Sequence, residues 1–172
     1  MTLVLRGERV VLRPLRPDEL DVLVATVTPE TSGPGARERL ARRIERSGRF
    51  LDGFLDLGVE VDGELIGDVS ARQPATALPA GVFELGIALL DEHRGRGYGT
   101  DAIRALTQHL FDRLGAERVQ ASTDVENAAM RRVFAKLGFV EEGVMRGFMP
   151  AAGRRADYVL YGVTKAEWPA RG

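Results

Sequence analysis

The residues from Phe83 to Leu114 restrict this chain more than any other stretch. They read F-E-L-G-I-A-L-L, then D-E-H, then R-G-R-G-Y-G-T, then D-A-I-R-A-L-T-Q-H-L-F-D-R-L. The first run is short and apolar, bounded by Gly81 and by Asp91-Glu92, and predicts a buried strand. In the last run Ile103, Leu106, Leu110 and Leu114 recur every three or four residues, which sets one apolar stripe on a helix. Between the two, Gly95, Gly97 and Gly99 remove three Cβ atoms, so the backbone can turn tightly and approach a ligand. A turn of this kind opening a helix aims several N–H groups at one point, where the helix dipole adds partial positive charge. Arg94 and Arg96 bring two guanidinium groups to the same place. The stretch predicts an anion site, with phosphate as the best match.

Three glycine-rich patterns compete for it. An NTPase loop ends in G-K-[ST], whereas this turn ends Tyr98-Gly99-Thr100 with no lysine. The dinucleotide pattern G-x-G-x-x-G would need its third glycine where Thr100 stands. It also asks for an acid about twenty residues on, a place that only Glu117 and Asp124 approach. The third pattern, R-x-x-G-x-G, is met by Arg94, Gly97 and Gly99. In it the chain resembles the GNAT superfamily of acetyl-CoA-dependent N-acetyltransferases, in which this turn holds the pyrophosphate of coenzyme A.

Length and composition narrow the remaining readings. A chain of 172 residues is expected to form one domain, residues 1–172, with a sizeable core. A net charge of −1 gives no bulk attraction to nucleic acid or to an anionic membrane, so neither is expected as a partner. The chain has no cysteine, which removes disulfides, thiolate metal sites and a cysteine nucleophile. With only two histidines besides, no metal is expected. Charges come too early in M-T-L-V-L-R-G-E-R for a signal peptide, and no apolar run reaches the length of a membrane span, so the expected location is cytoplasmic.

Along the chain, Leu3 to Leu15 predicts a first strand, ended by Pro14 and Pro17. Asp18 is the expected N-cap of a helix through Leu20, Leu23 and Val24, closed by Pro29. Thr31 to Gly35 reads as a loop, and Ala36 to Ser47 as an arginine-rich helix with Leu40 and Ile44 on its apolar side. From Phe54 to Ala71 apolar and polar residues alternate around Asp62-Gly63, a two-residue hairpin turn. Six acids and no base occur from Asp52 to Asp68; they read as the wet face of a sheet or as an acidic wall for a cationic amine. Gln73 to Gly81 is a polar connection, and Arg118 to Thr123 a strand that follows the central one through a right-handed crossover. Asn127 to Leu137 is a helix capped by Gly138. Phe139 to Thr164 forms two strands joined through Met149-Pro150-Ala151-Ala152-Gly153, and Ala166 to Pro169 is a short terminal piece. The fold class is mixed α+β, with antiparallel strands first, one parallel crossover, then a closing hairpin.

The resemblance extends over most of the chain. L-R-G-E-R-V-V-L-R-P-L near the start, Glu84-Leu85-Gly86 on the central strand, N-A-A-M-R-R-V-F-A-K-L-G-F-V-E-E-G and the ending G-R-R-A-D-Y-V-L-Y-G-V-T-K-A-E-W are similar to the RimJ/RimL-like subfamily. That subfamily includes ribosomal-protein-alanine acetyltransferases. The resemblance implies the GNAT acyl-CoA N-acyltransferase fold, a mostly antiparallel sheet with a splayed parallel pair and flanking helices. It implies acetyl-CoA as co-substrate and direct attack by an amine acceptor, either a protein N-terminus or a small molecule, in a ternary complex. Ile87, Ala88 and Leu89 would offer a free backbone edge to the pantetheine arm, and an N–H there would serve the developing oxyanion. Arg94, Gly95, Arg96, Gly97, Tyr98, Gly99 and Thr100 would take the pyrophosphate, and Asn127 would bond the arm. Eight basic residues against five acidic ones between 94 and 136 suit an anionic ligand.

Glu84 is the candidate general base. It interrupts an apolar strand, and partial burial would raise its pKa toward neutrality, with a strand acid paired to arginine as the plain alternative. Phe134 stands where many relatives carry a tyrosine to protonate the leaving thiolate, and Met130 where RimL-like relatives often carry serine. No side-chain acid is therefore evident, but a thiol with pKa near 8.5 leaves without one. Tyr158 or Tyr161 could reach in from the last strand, though both read first as core or rim residues, and His93 and His109 read as surface or helix-side ones. Two other classes stay open: a non-catalytic acyl-CoA-binding domain of the same fold and a nucleotide-binding oxidoreductase. A homodimer through the last strands stays open as well.

Overall fold

In the computed structural model, which describes residues 2–28, 32–151 and 153–168, the N-terminal stretch read above as one strand folds back on itself. It makes a small hairpin of β1 (Leu5–Arg6) and β2 (Val11–Arg13), with Leu5 opposite Leu12. The cause is distant in sequence. The carboxylate of Asp101 accepts the backbone N–H groups of Glu8 at 3.0 Å, Arg9 at 2.8 Å and Val10 at 3.0 Å. Gly7 makes room for it, since a Cβ there would stand 2.5 Å from Asp101 Oδ2.

A 3₁₀ turn, Pro17–Glu19, leads into α1 (Leu20–Ala25). Asp18 lies inside that turn and is not the N-cap. The Glu19 carboxylate reaches back to the Arg16 N–H at 2.7 Å and also takes the Arg13 guanidinium. The helix stops at Ala25, before Pro29, which lies outside the described residues. The helix α2 (Ala36–Arg46) then leads to the hairpin of β3 (Phe54–Val61) and β4 (Glu64–Arg72). Asp62 at φ 51° and Gly63 at φ 84° are both left-handed, as a twist-matched two-residue turn requires.

The remaining elements are β5 (Val82–Leu89), α3 (Tyr98–Arg113), β6 (Arg118–Asp124), α4 (Ala128–Lys136), β7 (Val140–Ala151) and β8 (Arg154–Thr164). Met149, Pro150 and Ala151 belong to β7 rather than to the joint expected there. Gly138, at φ 82°, ends α4 in a Schellman motif: its N–H bonds the Ala135 carbonyl, and that of Phe139 bonds the Phe134 carbonyl. All eight strands form one sheet in the order β1-β2-β3-β4-β5-β6-β8-β7. Every neighbouring pair is antiparallel except β5 with β6. No helix among the described residues is long and apolar enough to cross a membrane.

The main core lies between one face of the sheet and α3, whose Ile103, Leu106 and Leu110 are buried with Leu57, Phe83, Leu85 and Val119. The terminal piece joins it, with Trp168 buried against Phe111 and donating from its ring nitrogen to Gln108 at 2.8 Å. A smaller core on the other face packs Leu23 of α1 and Leu40 and Ile44 of α2 on Leu15.

That second layer corrects the reading of the acidic hairpin. Asp56 and Asp68 are 2% and 4% exposed, so they are neither a wet face nor an open wall. Arg43 of α2 pairs with both, through Asp56 Oδ1 at 2.7 Å and through Asp68, while Arg46 takes Asp56 Oδ2 at 2.7 Å. Burial pushes the Asp68 carboxyl up, and burial also works against the charge on Arg43. Asp68 and Asp56 more than offset the latter, holding Arg43 above its ordinary value and the group charged. Positions 43 and 46 lie on one helix face, so α2 delivers both guanidinium groups together.

Candidate active site

The site begins where a ladder stops. Strands β5 and β6 pair in parallel only at Val82 with Arg118, Phe83 with Val119 and Glu84 with Gln120. On its other side β5 stays paired with β4 as far as Leu89. Beyond Glu84, the edge of β5 toward β6 therefore has no strand partner, and a cleft of about 750 Å³ opens there. Residues 85 to 89 form one wall, and the segments at Ser122–Asp124 and Asn127–Phe134 contribute the other. Ile87, Ala88 and Leu89, the expected free edge, lie on this wall.

At one end the cleft meets the glycine-rich turn. Gly95 at φ 71° and Gly97 at φ 85° are left-handed, a conformation that costs other residues energy. Gly97 is the N-cap of α3, so the first turn of a 16-residue helix faces the cleft. Arg94, Gly95, Gly97, Gly99 and Thr100 line it directly. Arg96 and Tyr98 serve the turn from outside: the Arg96 carbonyl accepts from Arg9 at 2.6 Å, and the Arg9 guanidinium lies 4.5 Å over the Tyr98 ring. The β1–β2 turn is thus docked on the glycine-rich turn and its helix through Asp101 and Arg9. Arg94 donates to the Leu89 carbonyl at 3.1 Å and pairs with Asp91 at 3.0 Å. His93, Arg132 and Lys136 also line the cleft, while Arg131 is committed elsewhere, to Tyr161, Glu141 and the Val125 carbonyl.

Asn127 caps α4, its Oδ1 accepting from the Met130 N–H at 3.1 Å, and it lines the cleft as well. Phe134 is 3% exposed and stacks on Tyr161 at 5.1 Å, so this position serves packing. Tyr161 is buried, whereas Tyr158 lines the cleft.

Glu84 stands one residue before the cleft wall. Its Oε1 takes Arg72 at 3.0 Å from Nε and again from the second guanidinium nitrogen, and its Oε2 takes Gln120 at 3.2 Å. The chain of bonds continues from Arg118 Nε to Gln120 Oε1 at 3.0 Å and from Arg118 to Glu142 at 2.9 Å. Arg118 holds the Glu142 carboxyl below its ordinary range. Glu84, the expected general base, is thus not isolated in its apolar strand: it is tied to an arginine. Glu84 and Gln120 are also the last partners of the parallel ladder, so this clasp sits at the point from which the cleft opens.

Sequence reasoning missed Asp101, Arg9, Asp124 and His93 as parts of the site or its support. Arg9 and Asp101 lie some ninety positions apart and meet only through the fold. Asp124 had a visible signal, an acid closing a strand just before the Asn127 cap. Among the described residues no group of three or more His, Asp or Glu is placed to hold a metal ion.

Comparison with known proteins agrees with this geometry. A family model described as an acetyltransferase (GNAT) domain matches residues 9–140. The uncharacterized N-acetyltransferase p20 of Bacillus licheniformis is 25% identical over 94% of this chain and 96% of its own length. Mycobacterium smegmatis RimJ, solved in complex with a CoA-disulfide, superposes with a TM-score of 0.76 at 23% identity, over 98% of this chain and 88% of that one. RimL, a ribosomal L7/L12 alpha-N-protein acetyltransferase solved with coenzyme A, gives 0.76 at 18% identity, over 94% and 98%. For these two structures the likeness is one of fold.

Proposed function

We propose that this chain, which belongs to the GNAT acetyltransferase family and is an acetyl-CoA-dependent N-acetyltransferase, acts by direct attack of a primary amine within a ternary complex. The observation that carries this reading is the parallel ladder that stops at Glu84 and Gln120 beside a helix opened by left-handed glycines. An unpaired strand edge suits an extended amide-bearing arm, and a helix N-terminus among arginines suits a diphosphate.

When bound, acetyl-CoA supplies a thioester whose carbonyl carbon takes the amine lone pair as the C–S bond breaks. The chain's own groups divide the remaining work. Backbone groups of Ile87, Ala88 and Leu89 align the arm, and an N–H on this edge stabilises the carbonyl oxygen as it gains charge. The segment Arg94 to Thr100 holds the pyrophosphate, with Arg9 and Asp101 keeping the turn in shape. Asn127 offers its amide N–H groups to the arm while its oxygen caps α4. Glu84 takes the amine proton through a relay of waters, because both of its oxygens already accept side-chain bonds.

The first test is a thermal melt of the purified protein with acetyl-CoA and, separately, with NAD(P). Stabilisation by acetyl-CoA alone and coenzyme A release that needs an added amine are expected; stabilisation by NAD(P) alone would overturn the reading. For the base, Glu84→Gln should fold normally and lose turnover most at low pH. Unchanged rates across the pH range would remove Glu84 from the chemistry.

A further inference from the structure

The cleft is polarised along its length. Its cations, Arg94, Arg132 and Lys136, belong to the glycine-rich turn and to α4. Among the described residues that line it, Asp124 is the only carboxylate, and it closes β6 where the two parallel strands have diverged. Its Oδ1 accepts the Glu126 N–H at 2.9 Å. The nearest cation to its Oδ2 is Arg154, at 3.8 Å, which is beyond hydrogen-bond length. That guanidinium is half exposed and lies nearer to Glu126, at 3.6 Å. One oxygen of a carboxylate inside the cleft is thus left without a hydrogen bond from the described residues.

Beside it stands an aromatic wall. Tyr158 is the β8 partner of Asp124 in the ladder and lines the cleft. Its ring lies 5.6 Å from that of Phe148, which is 44% exposed. A bulge in β7 puts Phe148 there: Met145 faces Tyr158 and Met149 faces Ala156, so β7 takes four steps where β8 takes two. The bulge is clamped by side chains of β8. Asp157 accepts the Gly147 N–H at 2.7 Å, and Arg155 donates to the carbonyls of Gly147 at 2.6 Å and Phe148 at 3.2 Å. Gly147, at φ 60°, supplies the left-handed turn. A large apolar ring held out toward solvent on a fixed mount, at the rim of a cleft, is what an apolar ligand group packs against.

We propose that Asp124 anchors the acceptor's ammonium group, with the Phe148–Tyr158 pair packing its body, so that the acceptor is a primary amine joined to an apolar group. The inference rests on the acetyl-transfer reading of the same cleft. One carboxylate balances one ammonium, and no second carboxylate among the described residues lines the cleft to take another, which disfavours polyamines. An N-terminal apolar residue of a peptide and a small arylalkylamine present the same chemistry at this subsite.

The experiment compares 2-phenylethylamine, a short peptide beginning with phenylalanine, methylamine and spermidine as acceptors, with the full chain and acetyl-CoA. At least one of the first two should be used well, and which of them is used separates a small-molecule acceptor from a peptide. Asp124→Asn should raise the KM for that amine about tenfold or more and leave the KM for acetyl-CoA within about twofold. Phe148→Ala should raise it about three- to tenfold for the apolar amine and leave methylamine unaffected. Arg154→Ala, which frees the second oxygen further, should lower the amine KM and serves if Asp124→Asn does not fold. An unchanged amine KM in Asp124→Asn, an acetyl-CoA KM raised equally, or preference for spermidine overturns the proposal. If the wild-type chain shows no amine-dependent release of coenzyme A with any acceptor, the acetyl-transfer reading fails instead.

Discussion

Over β3 and β4 the second face of the sheet is closed; over β5 and β6 it is open, although both stretches carry acids on that face. In the closed region Asp56 and Asp68 are covered by α2 and neutralised by Arg43 and Arg46. In the open region Glu84 is tied to its strand neighbours Arg72 and Gln120, and Asp124 at the mouth of the cleft has only a distant ion pair, with Arg154 at 3.8 Å, on its second oxygen. The difference lies in what covers each strand rather than in the strands themselves. A carboxylate under a helix becomes part of the core, while one beside a broken ladder stays available for a ligand.

The sharpest way to break this contrast is to open the closed side. Arg43→Ala leaves Asp68 buried without its cation, and it should cost about 3–5 kcal/mol of stability. Denaturant unfolding would measure the loss, and the KM for acetyl-CoA of the folded fraction should hold. A smaller loss of stability in this variant than in Asp124→Ala would mean that the two regions have been assigned the wrong way round.

Next comes the brace that joins the two. Asp101→Ala strands three backbone N–H groups and should cost about 2–3 kcal/mol. Unlike Arg43→Ala, it should also weaken acetyl-CoA binding, because the β1–β2 turn no longer steadies the glycine-rich turn through Arg9. Isothermal titration at a temperature where both variants are folded separates these effects.

A smaller change tests the main core below both regions. The Thr107 hydroxyl on α3 is fully buried and has no hydrogen-bond partner among the described residues. Thr107→Val keeps the shape and removes that group, so it should stabilise by about 1 kcal/mol with activity unchanged. A fall in melting temperature would show that the hydroxyl has a partner.

The smallest effect is one of pH. Burial, then Arg113, holds the His109 imidazole below its ordinary value of 6.5. Below that pH the unfolded chain takes up a proton that the folded chain resists, so stability present above pH 6.5 is lost as the pH falls through it. His109→Gln should lack this loss, by about 1 °C in melting temperature between pH 7 and pH 5.5. Equal melting curves for the two chains would show that the imidazole titrates alike in both states.

Much of the frame was legible because its causes are local. The stripe from Ile103 to Leu110, the Asp62-Gly63 turn and the left-handed glycines at 95 and 97 each follow from short-range spacing or from the φ a residue can adopt. The glycine-rich turn into α3 could be read for the same reason, since a helix N-terminus and its glycines are adjacent in sequence. The first hairpin could not, because the carboxylate that folds it back sits on α3. Nor could the fate of the acids: alternation shows that Asp56 and Asp68 share a face, and only the docking of α2 decides whether that face meets water or arginine. Glu84 was picked out by its place in an apolar strand, yet Arg72 and Gln120 come from the strands on either side.

By itself, then, the sequence determined most of the elements, the glycine-rich turn and the family to which the chain belongs, because each is written in residues near one another. Tertiary structure alone decided which carboxylates are spent on the fold and which one faces the cleft. A charge is satisfied by whatever lies within a few ångströms, and for Asp68, Glu84, Asp101 and Asp124 those neighbours are supplied by chain folded in from elsewhere.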